Sequence, residues 1–373
     1  MLNKIVALTK EFVSIKSNSE NATELDKILE IALSNLKGYT IERFENKGVK
    51  SALVYNRRLQ EQSDYNAKKR PSKFRIILNG HLDVVPGKDY QYLPKVKGDK
   101  LYGVGSMDMK ASVACLIMVF KEVASKVDYP LALQLVTDEE PGGFNGTKYQ
   151  VEKGVKADFV IAGESTGLQI ANRAKGVLLL KIFTNGRTAH GAYPWKGDNA
   201  IWKMNQFLNS LLNRYPIPSK QEWVTTVNLS RIETSNKVFN KIPDDCEIKL
   251  DIRYVPKDAD TIVNSIKTLL PKGFKLDIVA KETALFVSEN NQYLKILQSV
   301  GEQVTRKKVG LYGAQGTSDA RHFTRVGIDG IEFGPKGWNI GSDEECVSIK
   351  SLEQYYQILK NFLLLMKGGD ENE

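Results

Sequence analysis

Histidine and cysteine are scarce: three of each in 373 residues. Cys115, Cys246 and Cys346 are far apart and odd in number, which argues against a disulfide framework and fits a reducing, cytoplasmic setting. No run reaches the roughly 18 apolar residues of a membrane span. The opening Met1-Leu2-Asn3-Lys4 leads into an amphipathic pattern with charges inside it, which speaks against a secretory signal. There is no internal repeat and no low-complexity segment. What remains is an ordinary globular composition, 42% hydrophobic, of a length that favours two domains.

The formal charge of +9 is scattered. Its densest cluster, Lys68-Lys69-Arg70, lies in a polar stretch, and no basic stripe is interleaved with aromatics. Nucleic-acid binding is therefore not expected. A lysine-rich solvated surface and attraction of a carboxylate-bearing substrate are the two readings left.

Apolar spacing predicts helices over 2–15 and 21–36, and a strongly apolar one over Lys110–Val123. Strands are predicted at 39–44, 51–55, 74–78 (FRIIL, ending at Asn79-Gly80), 131–136 and 159–162, with a polar excursion over 56–73. Alternating strands and helices imply an α/β fold, with a mixed or parallel sheet covered on both faces. Near Gly176 the order becomes β-α-β-β-α-β, the ferredoxin-like split unit. The expected organisation is one domain from 1–176 and 288–373, with an α+β domain of 177–287 inserted in it. A C-terminal helix is expected over 352–366, with a frayed tail at 368–373.

Four short motifs sit at strand ends. His81 and Asp83 lie in Gly80-His81-Leu82-Asp83; the carboxylate could accept the second imidazole N–H, although a loop histidine with a turn aspartate reads equally well. Asp108, after Gly103-Val104-Gly105-Ser106-Met107, begins an apolar helix, where it serves either as a ligand or as a helix cap. The phosphate-loop spacing is absent. Asp138-Glu139-Glu140 is a run of three acids whose repulsion is tolerated if a cation or a shared proton lies among them. Glu164 follows another apolar strand. One histidine and several carboxylates beyond the strands of one sheet suit a catalytic zinc site.

With these motifs in that order, the chain resembles the two-zinc aminoacylase/carboxypeptidase metallopeptidases, which include succinyl-diaminopimelate desuccinylase and acetylornithine deacetylase. The resemblance runs from Gly80 to the terminal helix. It implies a zinc-peptidase-like catalytic domain and an inserted lid domain that forms a homodimer. It also implies two zinc ions, with cobalt or manganese as alternatives. Under it, His81 and Glu164 bind one metal, Asp108 bridges both and Glu140 binds the second. Glu139 is the general base, and Asp83 supports the set. His190, in Thr188-Ala189-His190-Gly191, would stabilise the oxyanion. Asn240 and Arg253 would be lid contacts to substrate, and Thr317 and Ser318 would lie in a substrate loop of the desuccinylase branch.

The chain departs from that pattern at one place. The family's last ligand histidine, after Gly334-Pro335, falls on Gly341, which has no side chain to offer. A water or Asp343 could take the place, one metal could suffice, or the chain could be a catalytically impaired binding or scaffold protein. The expected activity is hydrolysis of an amide in a small N-acyl amino acid or short peptide.

Overall fold

A computed structural model describes residues 1–56 and 70–366. Most of the expected excursion over 56–73, with Lys68 and Lys69, and the expected frayed tail lie outside them. The chain divides into two compact units. The first comprises Met1–Asn172, Phe286–Tyr312 and Ser318–Glu373; the second comprises Arg173–Leu285 and Gly313–Thr317. The sequence places the crossings at 176–177 and 287–288, and does not separate the short 313–317 segment.

The first unit is built on a mixed sheet. Its spatial order begins Thr40–Asn46, Val49–Tyr55, Leu131–Val136, Phe74–His81, Ala157–Ala162, Asp329–Glu332, Ile170–Ala174. Phe74–His81 pairs in parallel with Leu131–Val136 on one side and Ala157–Ala162 on the other. Both faces are covered, so side chains of alternate parity enter two different cores. Ile76, Leu78, Leu133 and Ile161 pack with the helices Leu2–Val13, Lys110–Val123 and Ile349–Leu365, whereas Ile77, Ala132 and Val160 pack with Phe74 and Phe323. That two-sided burial is why the strands read as continuous apolar runs. Each fully buried Leu, Ile or Phe contributes about 1.5–3 kcal/mol.

Two features differ from expectation. Phe74–His81 does not end at Asn79-Gly80 but continues to His81, because Leu131–Val136 keeps pairing with it through Gly80 and His81 after the pairing with Ala157–Ala162 stops at Asn79. A separate small sheet also forms, in the order Gly337–Trp338, Cys346–Ser348, Lys100–Tyr102, Lys95–Lys97.

The second unit has an antiparallel sheet ordered Thr226–Glu233, Asp245–Tyr254, Gly176–Asn185, Lys275–Glu282. Its helices are Ala200–Arg214, capped by the Asn199 side chain, and Ile262–Lys267. Leu178, Leu180, Ile182, Ile248, Leu250 and Ile252 face Met204 and Phe207. With the two helices in these crossovers, this is the ferredoxin-like order. Among the described residues no helix is long and apolar enough to cross a membrane.

Candidate metal centre

In an open α/β sheet the carboxyl ends of adjacent parallel strands share one rim, where ligands bind. His81 closes its strand in register with Val136, so the Asp138–Glu140 segment that follows Val136 starts beside the imidazole. Glu164 follows the neighbouring strand Ala157–Ala162. Asp108 arrives from the loop before Lys110–Val123. It does not cap that helix: the N-cap residue is Met109, with no side-chain capping bond. Instead Asp108 Oδ1 lies 3.0 Å from His81 Nε2, and Glu164 Oε1 lies 3.9 Å from the same nitrogen. His81, Asp108 and Glu164 each present a ligand atom within 4.8 Å of the others.

The surroundings hold these groups from behind. His81 Nδ1 faces the main-chain carbonyl of Asp83 at 3.0 Å, nearer than the Asp83 carboxylate at 3.5 Å. The expected carboxylate–imidazole contact is thus secondary. The carboxylate is occupied by the amide hydrogens of Glu139 and Glu140, at 3.2 and 2.9 Å. Glu345, buried, accepts from the amides of Met107 and Asp108 at 2.8 and 3.2 Å and so fixes the Asp108 loop.

Electrostatically the site is a crowd of acids. Burial, then the neighbouring Asp108 carboxylate, push Glu164 well above its ordinary range. Burial does the same to Glu139. Burial, reinforced by Asp108, pushes Glu140 up to about 7. His81 loses charge stability through burial but gains more from Asp108 and Asp83, so its proton affinity rises well above normal. A cation among these carboxylates would relieve their repulsion. One imidazole and two carboxylates converging, with the other ring nitrogen held by a carbonyl, are a donor set that fits a divalent metal.

The remaining expected residues are dispersed. Glu140 is not part of the three-residue cluster; its Oε1 accepts the Val85 amide at 3.1 Å. Gly341 is exposed at φ +65°, and a Cβ there would meet nothing within 4 Å. Asp343 pairs with Lys88. In the second unit, His190 is exposed and its Nδ1 accepts the Ala192 amide; Asn240 is exposed; Arg253 is held by both carboxylate oxygens of Asp251. Thr317 belongs to that unit, and Ser318 is buried in the first.

Three groups at the site are not among the expected residues. Glu332 ends the strand Asp329–Glu332, is buried, and is pushed up to about 7 chiefly by that burial. The strand-end rule that flags Glu164 applies to it equally. Arg321 Nη1 lies 3.7 Å from Glu139 Oε1. Glu345 has no local signal, because its partners are main-chain amides distant in sequence.

A histidine and clustered carboxylates at the rim of a doubly covered mixed sheet fit the metal centre of a hydrolase. The profile of Peptidase family M20/M25/M40 matches residues 77–365. The chain is 28% identical over 321 residues to a succinyl-diaminopimelate desuccinylase of Pelagibacter ubique (strain HTCC1062), covering 77% of this chain and 82% of the relative. Its fold matches a tripeptidase from Staphylococcus aureus, with TM-score 0.77 and 20% identity over 97% of this chain and 99% of that one. It also matches a dinuclear metal-binding peptidase of Bacillus subtilis, with TM-score 0.68 and 13% identity over 98% of each chain. The chain belongs to peptidase family M20/M25/M40 and is a metal-binding hydrolase of amide bonds.

Proposed function

We propose that this chain hydrolyses the amide bond of a small, anionic N-acyl amino acid or short peptide, with zinc as its metal and Glu139 as its base. The observation that carries this is the convergence of His81, Asp108 and Glu164 within 4.8 Å beside the Asp138–Glu140 turn. His81, Asp108 and Glu164 would hold one ion, and Glu140 would serve a second, weaker position left incomplete at Gly341. When bound, a divalent ion supplies Lewis-acid polarisation of the carbonyl and acidifies water.

The chain's own groups do the rest. Burial raises the proton affinity of Glu139, which suits a base that must take a proton and return it to the leaving amine. Asp83 fixes the main chain on which Glu139 stands. His190 would donate to the developing oxyanion, a contact worth roughly 2.7–4 kcal/mol. Asn240, Arg253, Thr317 and Ser318 would hold the substrate, with Arg253 suited to a carboxylate through its planar fork.

The desuccinylase relative and the net charge of +9 support an acidic acyl group, while the tripeptidase neighbour supports a peptide. The second unit would act as lid and homodimer contact; exposed Trp195, Trp202 and Phe239 support the latter. A cytoplasmic location is supported by three buried free cysteines.

The test is elemental analysis of the purified protein, with turnover of N-succinyl amino acids, N-acetyl amino acids and tripeptides on the same sample. Turnover of one class with bound zinc is expected. No metal and no turnover after adding zinc would overturn the proposal in favour of a non-catalytic binding protein.

A further inference from the structure

The Glu139–Gly143 turn is gripped at both ends. At its start, Asp83 takes the amides of Glu139 and Glu140. At its end, the Gly142 carbonyl accepts two hydrogen bonds, from Arg321 Nη2 at 2.7 Å and from His322 Nε2 at 3.0 Å. Both donors sit on the short helix Ala320–Thr324, and Arg321 Nη1 also donates to the Ser318 carbonyl at 2.8 Å. The turn is tight inside: Gly142 N–H donates to the Glu139 carbonyl at 2.7 Å and Gly143 N–H to the Asp138 carbonyl at 2.6 Å. A displacement of Gly142 is therefore passed directly to Glu139.

His322 is 2% exposed, its ring stands edge-on to Phe144, and its Nδ1 has no hydrogen-bond partner. A carbonyl oxygen only accepts, so Nε2 carries the hydrogen; Nδ1 is buried with no acceptor for a second hydrogen, which makes the ring neutral. The charged groups around it are Asp319, whose Oδ1 lies 3.6 Å from Nε2, Arg321 and Lys148. Burial outweighs the attraction of Asp319 and lowers the proton affinity to about 4, which agrees with the single hydrogen bond.

We propose that His322 is a positioning residue for amide hydrolysis: its neutral imidazole, through Nε2–H on the Gly142 carbonyl, holds the turn that aims the Glu139 carboxylate. This rests on the reading of Glu139 as the base. Loss of one such hydrogen bond permits a misplacement that costs on the order of tenfold in rate.

The experiment compares His322→Phe with His322→Gln, whose amide places an N–H near the position of Nε2. Steady-state kinetics and metal content are measured for both, together with 15N spectra of the histidine-labelled wild-type protein. With three histidines in the chain, the His322 ring is assigned by its disappearance in His322→Gln. Expected are a roughly tenfold lower kcat for the phenylalanine variant with KM and metal content unchanged. Recovery of most of that loss is expected with glutamine, and an Nε2–H neutral ring at pH 7. Equal loss in both variants, a loss confined to KM, or unchanged kcat in His322→Phe would overturn the proposal. So would an Nδ1–H or doubly protonated ring. The ring tautomer is readable even if no tested amide is turned over, an outcome that would sink the base assignment instead.

Discussion

Asp83 and Glu139 are joined side chain to main chain: Asp83 Oδ1 accepts the Glu139 amide hydrogen at 3.2 Å while the Asp83 carbonyl faces His81 Nδ1. One buried residue thereby ties His81, the first proposed metal ligand, to Glu139, the proposed base. The Glu139 carboxylate remains uncommitted by that bond, which leaves it available for proton transfer.

Glu139→Gln keeps the turn, since the amide held by Asp83 is unchanged, but removes the proton acceptor. Turnover should fall by at least about 10²-fold while bound metal stays equal to that of the parent protein. Rates and elemental analysis on one preparation decide it; near-parental activity would refute the role of Glu139.

Gly341→His supplies a donor at the proposed second metal position. A Cβ meets nothing within 4 Å, so the cost is the left-handed backbone at φ +65°, roughly 1 kcal/mol and within what histidine tolerates. Equilibrium dialysis should show one additional tightly bound metal ion per chain. Unchanged stoichiometry would mean that Gly341 is not the reason the second position is weak.

Gly143→Ala should be severely disruptive. Its Cβ would lie 1.9 Å from Asp319 Oδ1, on a backbone at φ +63°, so both the turn and the buried aspartate must move. Loss of activity with destabilisation of at least about 2 kcal/mol is expected in urea unfolding. A variant with parental stability would contradict the closeness of the two segments.

His322 makes stability depend on pH in a definite direction. Its folded value is depressed from 6.5 to about 4, so below 6.5 the unfolded chain binds the proton that the folded chain refuses. The contribution is fully present above 6.5 and is lost as pH falls to about 4, amounting to about 3 kcal/mol. Urea unfolding of the parent and His322→Gln at pH 7 and pH 4 should differ in pH dependence by that amount. Metal loss at low pH is common to both proteins and cancels; identical pH dependence would show that His322 is not buried neutral.

Much of this protein follows from local pattern. Lys110–Val123 announces itself by an unbroken apolar run, and Leu131–Val136 by a buried strand followed by acids. Short motifs at strand ends place His81, Glu139 and Glu164 in one neighbourhood, because adjacent parallel strands in register end together, whereas Asp108 joins them from the loop before Lys110–Val123. What local pattern does not contain is the choice of partner among chemically equivalent groups. Asp83 turns from imidazole to two amides, Asp108 turns from the helix end to His81, and Glu140 turns to Val85. Glu345, Arg321 and His322 reach the site from more than 170 residues away in sequence, meeting backbone groups that carry no side-chain signature. Residue type and spacing decided which chemistry is available; only long-range packing, which buries these groups and obliges each to find a hydrogen-bond partner, decided where each one points.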